Sequence, residues 1–196
     1  MDGDSIIMIL IMIALTACSA FFSATETAYL SFNQAKMKTL AASGDKRAQM
    51  VLSLYDDYDR LITSVLVGNN IVNISLSSIS TVLFIKFLGD MGATVSTVII
   101  TVIVLIFGEI TPKTVSKDFA ESFALSTVYA VKAVILIFYP LSFIFGLWQK
   151  LVDRISNPPG ESTVTEDEII TLVDEAEEGG GIDSDEGELI RSAIGF

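Results

Sequence analysis

The chain has 196 residues, of which 51% are hydrophobic and 18% are charged, and its mean hydropathy is +0.60. This composition is more apolar than that of an ordinary soluble domain and indicates a membrane protein. Histidine is absent and Cys18 is the single cysteine, which excludes an intramolecular disulfide and removes the most common zinc and copper ligand. Without a nucleophile–base pair or a glycine-rich phosphate loop we expect no enzyme, and with a net charge of −12 we expect no nucleic-acid partner.

The negative charge is concentrated near the C-terminus. Residues 161–196 contain twelve acidic side chains and one arginine, whereas residues 1–160 have a net charge of −1. The composition changes after Asn157-Pro-Pro-Gly160. We therefore divide the chain into a transmembrane domain at 1–156 and a cytoplasmic acidic helical bundle or connector at 157–196.

Four apolar stretches follow one another in the first domain, at residues 6–30, 61–88, 94–110 and 119–148. About 20 apolar residues cross a bilayer as a helix, and we predict that the first three stretches do so. Acidic residues precede the first stretch and a cluster of Lys and Arg follows it. The positive-inside rule therefore places the N-terminus outside and residues 33–60 in the cytoplasm, where they read as a short helix pair broken at Ser43-Gly44.

The fourth stretch has basic residues at both ends, Lys132 in its middle and Pro140 further along. A spanning helix would carry one basic cluster to the outside, and a lysine at membrane depth is costly. We therefore predict a kinked juxtamembrane helix at the cytoplasmic interface, with an ordinary fourth span as the alternative.

The acidic segment predicts two short polar helices joined by Gly179-Gly-Gly181, the first opened by a capping box at Thr165-Glu-Asp-Glu168. We interpret it as a helical connector that packs on another part of the protein. The alternative is a divalent-ion sensor at the acidic cluster 174–178, which lacks the ligand spacing of an EF-hand.

The clearest functional signal is Phe107-Gly-Glu-Ile-Thr-Pro-Lys113, at the end of the third predicted span. Glu109 lies in a segment that otherwise reads as membrane-buried, where a carboxylate must be paired, protonated or bound to a cation. In an α-helix Pro112 cannot donate to the carbonyl of Gly108, so this oxygen is left free beside the carboxylate. Both groups are ligands of hard cations.

Two further polar groups lie inside the predicted spans. Asn69, Asn70 and Asn73 share one face of the second helix, and their amide oxygens suit a hard cation, although membrane asparagines also form interhelical hydrogen bonds. Ser19 and Ser23 share a face of the first helix. Membrane serines usually bond to the carbonyl four residues back, but beside the other groups these hydroxyls become further candidate ligands. An oxygen-only site without thiolate or imidazole favours Mg²⁺ over zinc or copper.

Taken together, these stretches resemble the three signature motifs of the CNNM/CorC family of magnesium transporters, whose membrane domain is of the DUF21 type. The matching segments are Phe22-Ser-Ala-Thr-Glu-Thr-Ala28, Gly68-Asn-Asn-Ile-Val-Asn73 and Phe107-Gly-Glu-Ile-Thr-Pro-Lys113, in this order. The resemblance covers most of residues 5–160. It implies an all-α membrane protein with three transmembrane helices, a cytoplasmic helix pair, a kinked juxtamembrane helix and a C-terminal acidic helical connector, assembled as a homodimer in the lipid bilayer.

The resemblance also assigns the site. The family's magnesium-binding positions correspond to Ser23, Asn70, Asn73, Gly108 (through its carbonyl) and Glu109, with Ser19 and Asn69 as further candidates and Pro112 as structural support.

The implied function is export of Mg²⁺ across the plasma membrane in exchange for Na⁺, by a multi-pass protein with a cytoplasmic C-terminus. The family continues beyond the acidic segment into paired CBS domains that bind ATP, so we expect a CBS pair C-terminal to Phe196 in the full-length protein. Two alternatives stay open. A passive divalent-cation channel would need no counter-ion gradient, and a non-transporting, Mg²⁺-responsive membrane scaffold would keep its function when Glu109 is replaced.

Overall fold

The computed structural model describes residues 2–156, 170, 173–174, 176–177 and 183–194, and this part of the chain is helical, without β-strands. The helices are α1 (Gly3–Ser31), α2 (Gln34–Ala42), α3 (Lys46–Tyr55), α4 (Tyr58–Leu88), α5 (Gly92–Ile103), α6 (Thr111–Asp118), α7 (Ala120–Ser156) and α8 (Ser184–Ile194). A 3₁₀ turn, Gly89–Met91, joins α4 to α5, and a π-helical segment, Val104–Ile110, joins α5 to α6. The predicted all-α membrane fold is confirmed.

The chain divides into two compact units, Met1–Leu147 and Trp148–Phe196. In the second unit, Arg191 lies 2.6 Å from the carboxylate of Glu177 and also contacts Asp174. The predicted capping box at 165–168 and the glycine linker at 179–181 lie outside the described residues.

Three helical stretches are long and apolar enough to cross a membrane: Gly3–Ser31, Tyr58–Asp118 and Ala120–Leu141. The second is 61 residues long, far more than one crossing needs, and it reverses direction at Gly89, whose φ of 60° favours glycine. It is therefore a hairpin in which α4 runs antiparallel to the α5–α6 stretch. Across this hairpin the buried hydroxyls of Ser80 and Ser96 lie 2.7 Å apart.

Helix α1 packs antiparallel to α4. At one end Asp2 forms an ion pair with Lys86, and this hydrogen bond lowers the pKa of the Asp2 carboxyl to about 2. Near the middle, Ser19 contacts Asn69. Together with the α4–α5 hairpin, α1 forms a bundle of three apolar crossings, as the sequence predicts. Many large apolar side chains on the bundle are exposed, which suits contact with lipid.

The helix pair α2–α3 turns at Gly44, whose φ is 97°, and it lies between the ends of α1 and α4. Asn33 and Asp45 cap the two helices by accepting hydrogen bonds from backbone amides of the first turn. The predicted cytoplasmic helix pair, broken at Ser43-Gly44, thus corresponds to α2 and α3.

The two ends of the apolar part of α7 contact the same end of the bundle. Near its start, Glu121 accepts a 3.3 Å hydrogen bond from the Asn33 amide, and further along the Tyr139 ring lies 4.3 Å from the Arg60 guanidinium. These contacts are separated by 18 residues, about 27 Å of helix, yet Asn33 and Arg60 both flank the α2–α3 pair. By length and composition α7 could cross a membrane, but these contacts favour the predicted juxtamembrane helix, lying across the end of the bundle that carries the α2–α3 pair.

The largest buried apolar cluster lies at this same end. Its fully enclosed members include Ala28, Met37, Val51, Leu61 and Val128, from five different helices. This packing fixes the halves of α1 and α4 that adjoin the α2–α3 pair and carry the candidate site residues.

Candidate cation site

The candidate site begins where α1 and α4 touch in the middle of the bundle. The Ser19 hydroxyl, which is fully buried, donates a 3.1 Å hydrogen bond to Asn69 Oδ1. The Asn73 amide lies one turn further along α4, and its Nδ2 is 3.5 Å from the same oxygen. The structure therefore brings together Ser19, Asn69 and Asn73.

The third helical stretch reaches this group through Gly108. A Cβ built on Gly108 would lie 2.9 Å from Ser19 Oγ, closer than real side chains approach. Glycine therefore lets the backbone of the π-helical segment come directly against α1. Ser19, three residues before the first signature segment, thus contacts both the second segment, through Asn69, and the third, through Gly108.

Two buried oxygens near this point have no hydrogen-bond partner among the described residues: Ser23 Oγ and Asn73 Oδ1. Most other membrane hydroxyls bond to the carbonyl four residues back, as Thr25 and Ser75 do. Ser23 lies one turn after Ser19 on the same face of α1, and its hydroxyl does not bond to the carbonyl four residues back. A buried polar atom without a partner costs about 1–3 kcal/mol, so both oxygens are suited to a ligand.

Glu109 is half-buried in the π-helical segment, and no other described residue forms an ion pair or hydrogen bond with its carboxylate. The described residues also contain no group of three or more His, Cys, Asp or Glu side chains arranged to hold a metal. Glu109 directly follows Gly108, which contacts Ser19, so it is the acidic residue nearest in sequence to this polar group.

The backbone around Glu109 differs from the α-helix assumed in the sequence analysis. The amide of Thr111 donates to the Ile106 carbonyl, five residues back, which is the π-helical pattern. The next amide would belong to Pro112, which has none, and α-helical bonding resumes in α6. Pro112 therefore donates no hydrogen bond to the Phe107 carbonyl, five residues back as in a π-helix, or to the Gly108 carbonyl, four residues back as in an α-helix.

Asn70 lies apart from this group. Its side chain is exposed, and within the described part of the chain it makes no hydrogen bond. The sequence analysis also missed two features: the π-helical segment and an ion pair between Glu26 Oε2 and Lys113 Nζ at 3.0 Å. The helical spacing of a single sequence contains no signal for a contact between two distant helices.

These features define the class of the protein: an all-α multi-pass membrane domain with a polar, oxygen-lined site between its spans. The model of a protein family described as the cyclin M transmembrane N-terminal domain matches residues 10–186. The chain belongs to this CNNM family.

Curated relatives agree with this assignment. The chain is 33% identical over 181 residues to a UPF0053 protein of Haemophilus influenzae, covering 89% of this chain and 43% of the relative. It is 30% identical over 162 residues to the UPF0053 inner membrane protein YfjD of Escherichia coli, covering 81% and 38%. A polyamine export protein of Haemophilus influenzae is 26% identical over 199 residues, covering 94% and 46%. The chain thus spans less than half the length of these relatives.

Proposed function

We propose that the chain forms the membrane domain of a magnesium exporter of the plasma membrane, which exchanges Mg²⁺ for Na⁺. The observation that carries the proposal is Glu109, a carboxylate inside an apolar helix that has no ion pair or hydrogen bond within the described residues. A carboxylate in this setting needs a cation or a proton.

The neutral oxygens around Glu109 indicate which cation. We propose that Mg²⁺ is held by Glu109, Ser23, Asn73 and the Gly108 carbonyl, with Ser19, Asn69 and Asn70 as further ligands or ligands of its water shell. Mg²⁺ prefers octahedral oxygen coordination and commonly keeps several waters, which suits a site with few charges. A single negative charge also makes binding weak enough for release, as transport requires.

The proposed topology is compatible with export. With the N-terminus outside, Glu109 lies near the cytoplasmic end of the third crossing, four residues before Lys113, or roughly 6 Å along the helix axis. A site at this depth can load from the cytoplasm. We also propose that two copies of the chain form a homodimer and that a CBS-pair domain follows in the full-length protein.

The test is Glu109→Gln, which removes the charge and keeps the shape. Protein reconstituted in proteoliposomes with a trapped Mg²⁺-sensitive dye should move Mg²⁺ when a Na⁺ gradient is applied in the opposite direction, and Glu109→Gln should lose both this flux and Mg²⁺ binding. Asp118→Asn is the matched control, because it removes one carboxylate from the same helical stretch at an exposed position.

Each alternative gives a different result. Flux that is independent of the Na⁺ gradient but lost in Glu109→Gln would identify a passive channel. Absence of flux in the wild type, or unchanged Mg²⁺ binding in Glu109→Gln, would contradict the site and favour a scaffold.

A second candidate function comes from the relative named as a polyamine export protein. A polyamine carries several separated ammonium groups and would need several carboxylates along its path, whereas Glu109 is the acidic residue of the described polar group. We therefore favour a small cation. Spermidine at millimolar concentration should leave Mg²⁺ binding nearly unchanged, and strong competition would favour polyamine transport.

A further inference from the structure

An ion pair lies close to the candidate site and joins two of the signature segments. Glu26 of α1 and Lys113 of α6 approach to 3.0 Å, with side chains that are 21% and 42% exposed. Lys113 is also four residues after Glu109 in the same helical stretch. In a regular α-helix a glutamate and a lysine at this spacing, in this order, are well placed to pair; here the π-helical segment ends between them, at Ile110.

The structure pairs Lys113 with Glu26 instead. The Lys113 ammonium contacts Glu26, and the Glu109 carboxylate has no ion pair among the described residues. Lys113 thus pairs with the carboxylate on α1 and not with the carboxylate four residues before it.

We propose that Glu26 is a positioning residue that holds the Lys113 ammonium away from Glu109, so that the Glu109 carboxylate stays available to the transported divalent cation. This inference rests on the proposed function. Lys113 is a cation tethered to the same helix as Glu109, so its local concentration there is high and constant. Released from Glu26, it would occupy Glu109 and exclude Mg²⁺ by direct competition.

A simpler explanation is that each charge acts on the ion independently. In that case Glu26 attracts Mg²⁺ and Lys113 repels it, whichever partner Lys113 contacts. The two explanations differ in additivity. Positioning requires that the effect of Glu26 disappears when Lys113 is neutral, whereas independent charges give the same effect in both backgrounds.

The experiment is a double-mutant cycle of Mg²⁺ affinity, measured by calorimetric titration of the purified full chain in detergent, with Glu26→Gln, Lys113→Gln and the double variant. Glu26→Gln alone should weaken binding by on the order of tenfold, since a partly desolvated ion pair between Lys113 and Glu109 competes with the ion. In the Lys113→Gln background the same change should alter affinity by less than about twofold. An equal loss in both backgrounds, or no loss in either, overturns the proposal.

Glu26→Asp provides an independent measurement, because it keeps the charge but withdraws the carboxylate by one methylene group from its 3.0 Å contact. Under the proposal it weakens Mg²⁺ binding as Glu26→Gln does and is rescued by Lys113→Gln. Wild-type affinity in Glu26→Asp, or Glu26 variants that fail to fold even with Lys113→Gln, would overturn positioning. Failure of the proposed function looks different, because the wild type itself would then not bind Mg²⁺ through Glu109.

Discussion

Gly108→Ala tests the closest contact in the site. Gly108 is buried, and a Cβ there would lie 2.9 Å from Ser19 Oγ, 3.4 Å from Ser19 Cβ and 3.5 Å from Val104 Cγ1. Only the first contact is a clash. The Ser19 hydroxyl is fully buried and donates to Asn69 Oδ1, so it cannot turn away without loss of that hydrogen bond.

The size of the effect follows from two ways of relieving the clash. If the helices separate, overpacking costs about 1–3 kcal/mol. If Ser19 rotates instead, the lost hydrogen bond costs about 0.5–1.5 kcal/mol. Alanine returns up to about 1 kcal/mol through its higher helix propensity. Because the protein relaxes by the cheaper route, we expect a net loss of up to about 1.5 kcal/mol in the free energy of unfolding, and a loss of Mg²⁺ affinity because both Gly108 and Ser19 are displaced.

Thermal unfolding in detergent, followed by circular dichroism with and without Mg²⁺, measures both effects. Gly3→Ala is the matched control, because a Cβ on Gly3 meets nothing within 4 Å and should be tolerated. Adding Ser19→Ala to Gly108→Ala removes the clashing oxygen and should relieve the clash, but it also removes the hydrogen bond to Asn69 and should not restore affinity. A Gly108→Ala protein with wild-type Tm and wild-type affinity would refute the close packing of the third crossing on α1.

Two further predictions concern the backbone and the topology. Pro112→Ala supplies an amide that can donate to Gly108, so its carbonyl should be withdrawn from the site and the binding isotherm should show weaker Mg²⁺ affinity; unchanged affinity would mean that the proline only ends the π-helical segment. Lys117→Cys and Arg154→Cys, each in a Cys18→Ala background, should react with a membrane-impermeant thiol reagent only from the cytoplasmic side, in cells and inverted vesicles. Reaction of the two positions from opposite sides would establish a fourth span.

The helical architecture could be predicted because a bilayer allows few solutions. Backbone groups in lipid must pair within their own helix, so each long apolar stretch is a helix whatever its neighbours are. The gap between the apolar stretches 61–88 and 94–110 was sufficient to place the reversal of the second and third crossings, where the structure has Gly89–Met91. The charge pattern likewise gave the position of the α2–α3 pair, since Lys and Arg cannot lie in the spans at low cost.

The side-chain contacts of the site were harder to predict. Neighbouring residues on an α-helix point about 100° apart. Of two adjacent candidate ligands such as Asn69 and Asn70, only one can therefore face a given neighbouring helix. The structure places Asn69 against Ser19 and leaves Asn70 exposed. Which of them faces another helix depends on how α4 is rotated in the bundle, and local spacing does not determine that rotation.

The π-helical segment could not be predicted for a similar reason. It is a change of hydrogen-bond register over Val104–Ile110, and it shifts the phase of every later side chain relative to α5. Pro112 indicated that the hydrogen-bond pattern is interrupted. It did not indicate that the bonds before it run to the carbonyl five residues back, in a segment where Gly108 packs against Ser19 of another helix. Sequence spacing counted along an ideal α-helix therefore misplaces residues on one side of the segment.

On the proposed function, the incomplete hydrogen bonding of the site has a physical reason. Buried oxygens without hydrogen-bond donors, at Ser23 and Asn73, lower the stability of the folded protein, and burial of the apolar cluster beside the α2–α3 pair opposes this loss. A site whose oxygens were all satisfied internally would have to break hydrogen bonds before it could bind an ion. A site in which Lys113 paired with Glu109 would already contain its own cation. A small dication needs free oxygens and a carboxylate to bind, and it can leave again because the site carries only one negative charge. Glu26 keeps that carboxylate free by holding Lys113 elsewhere.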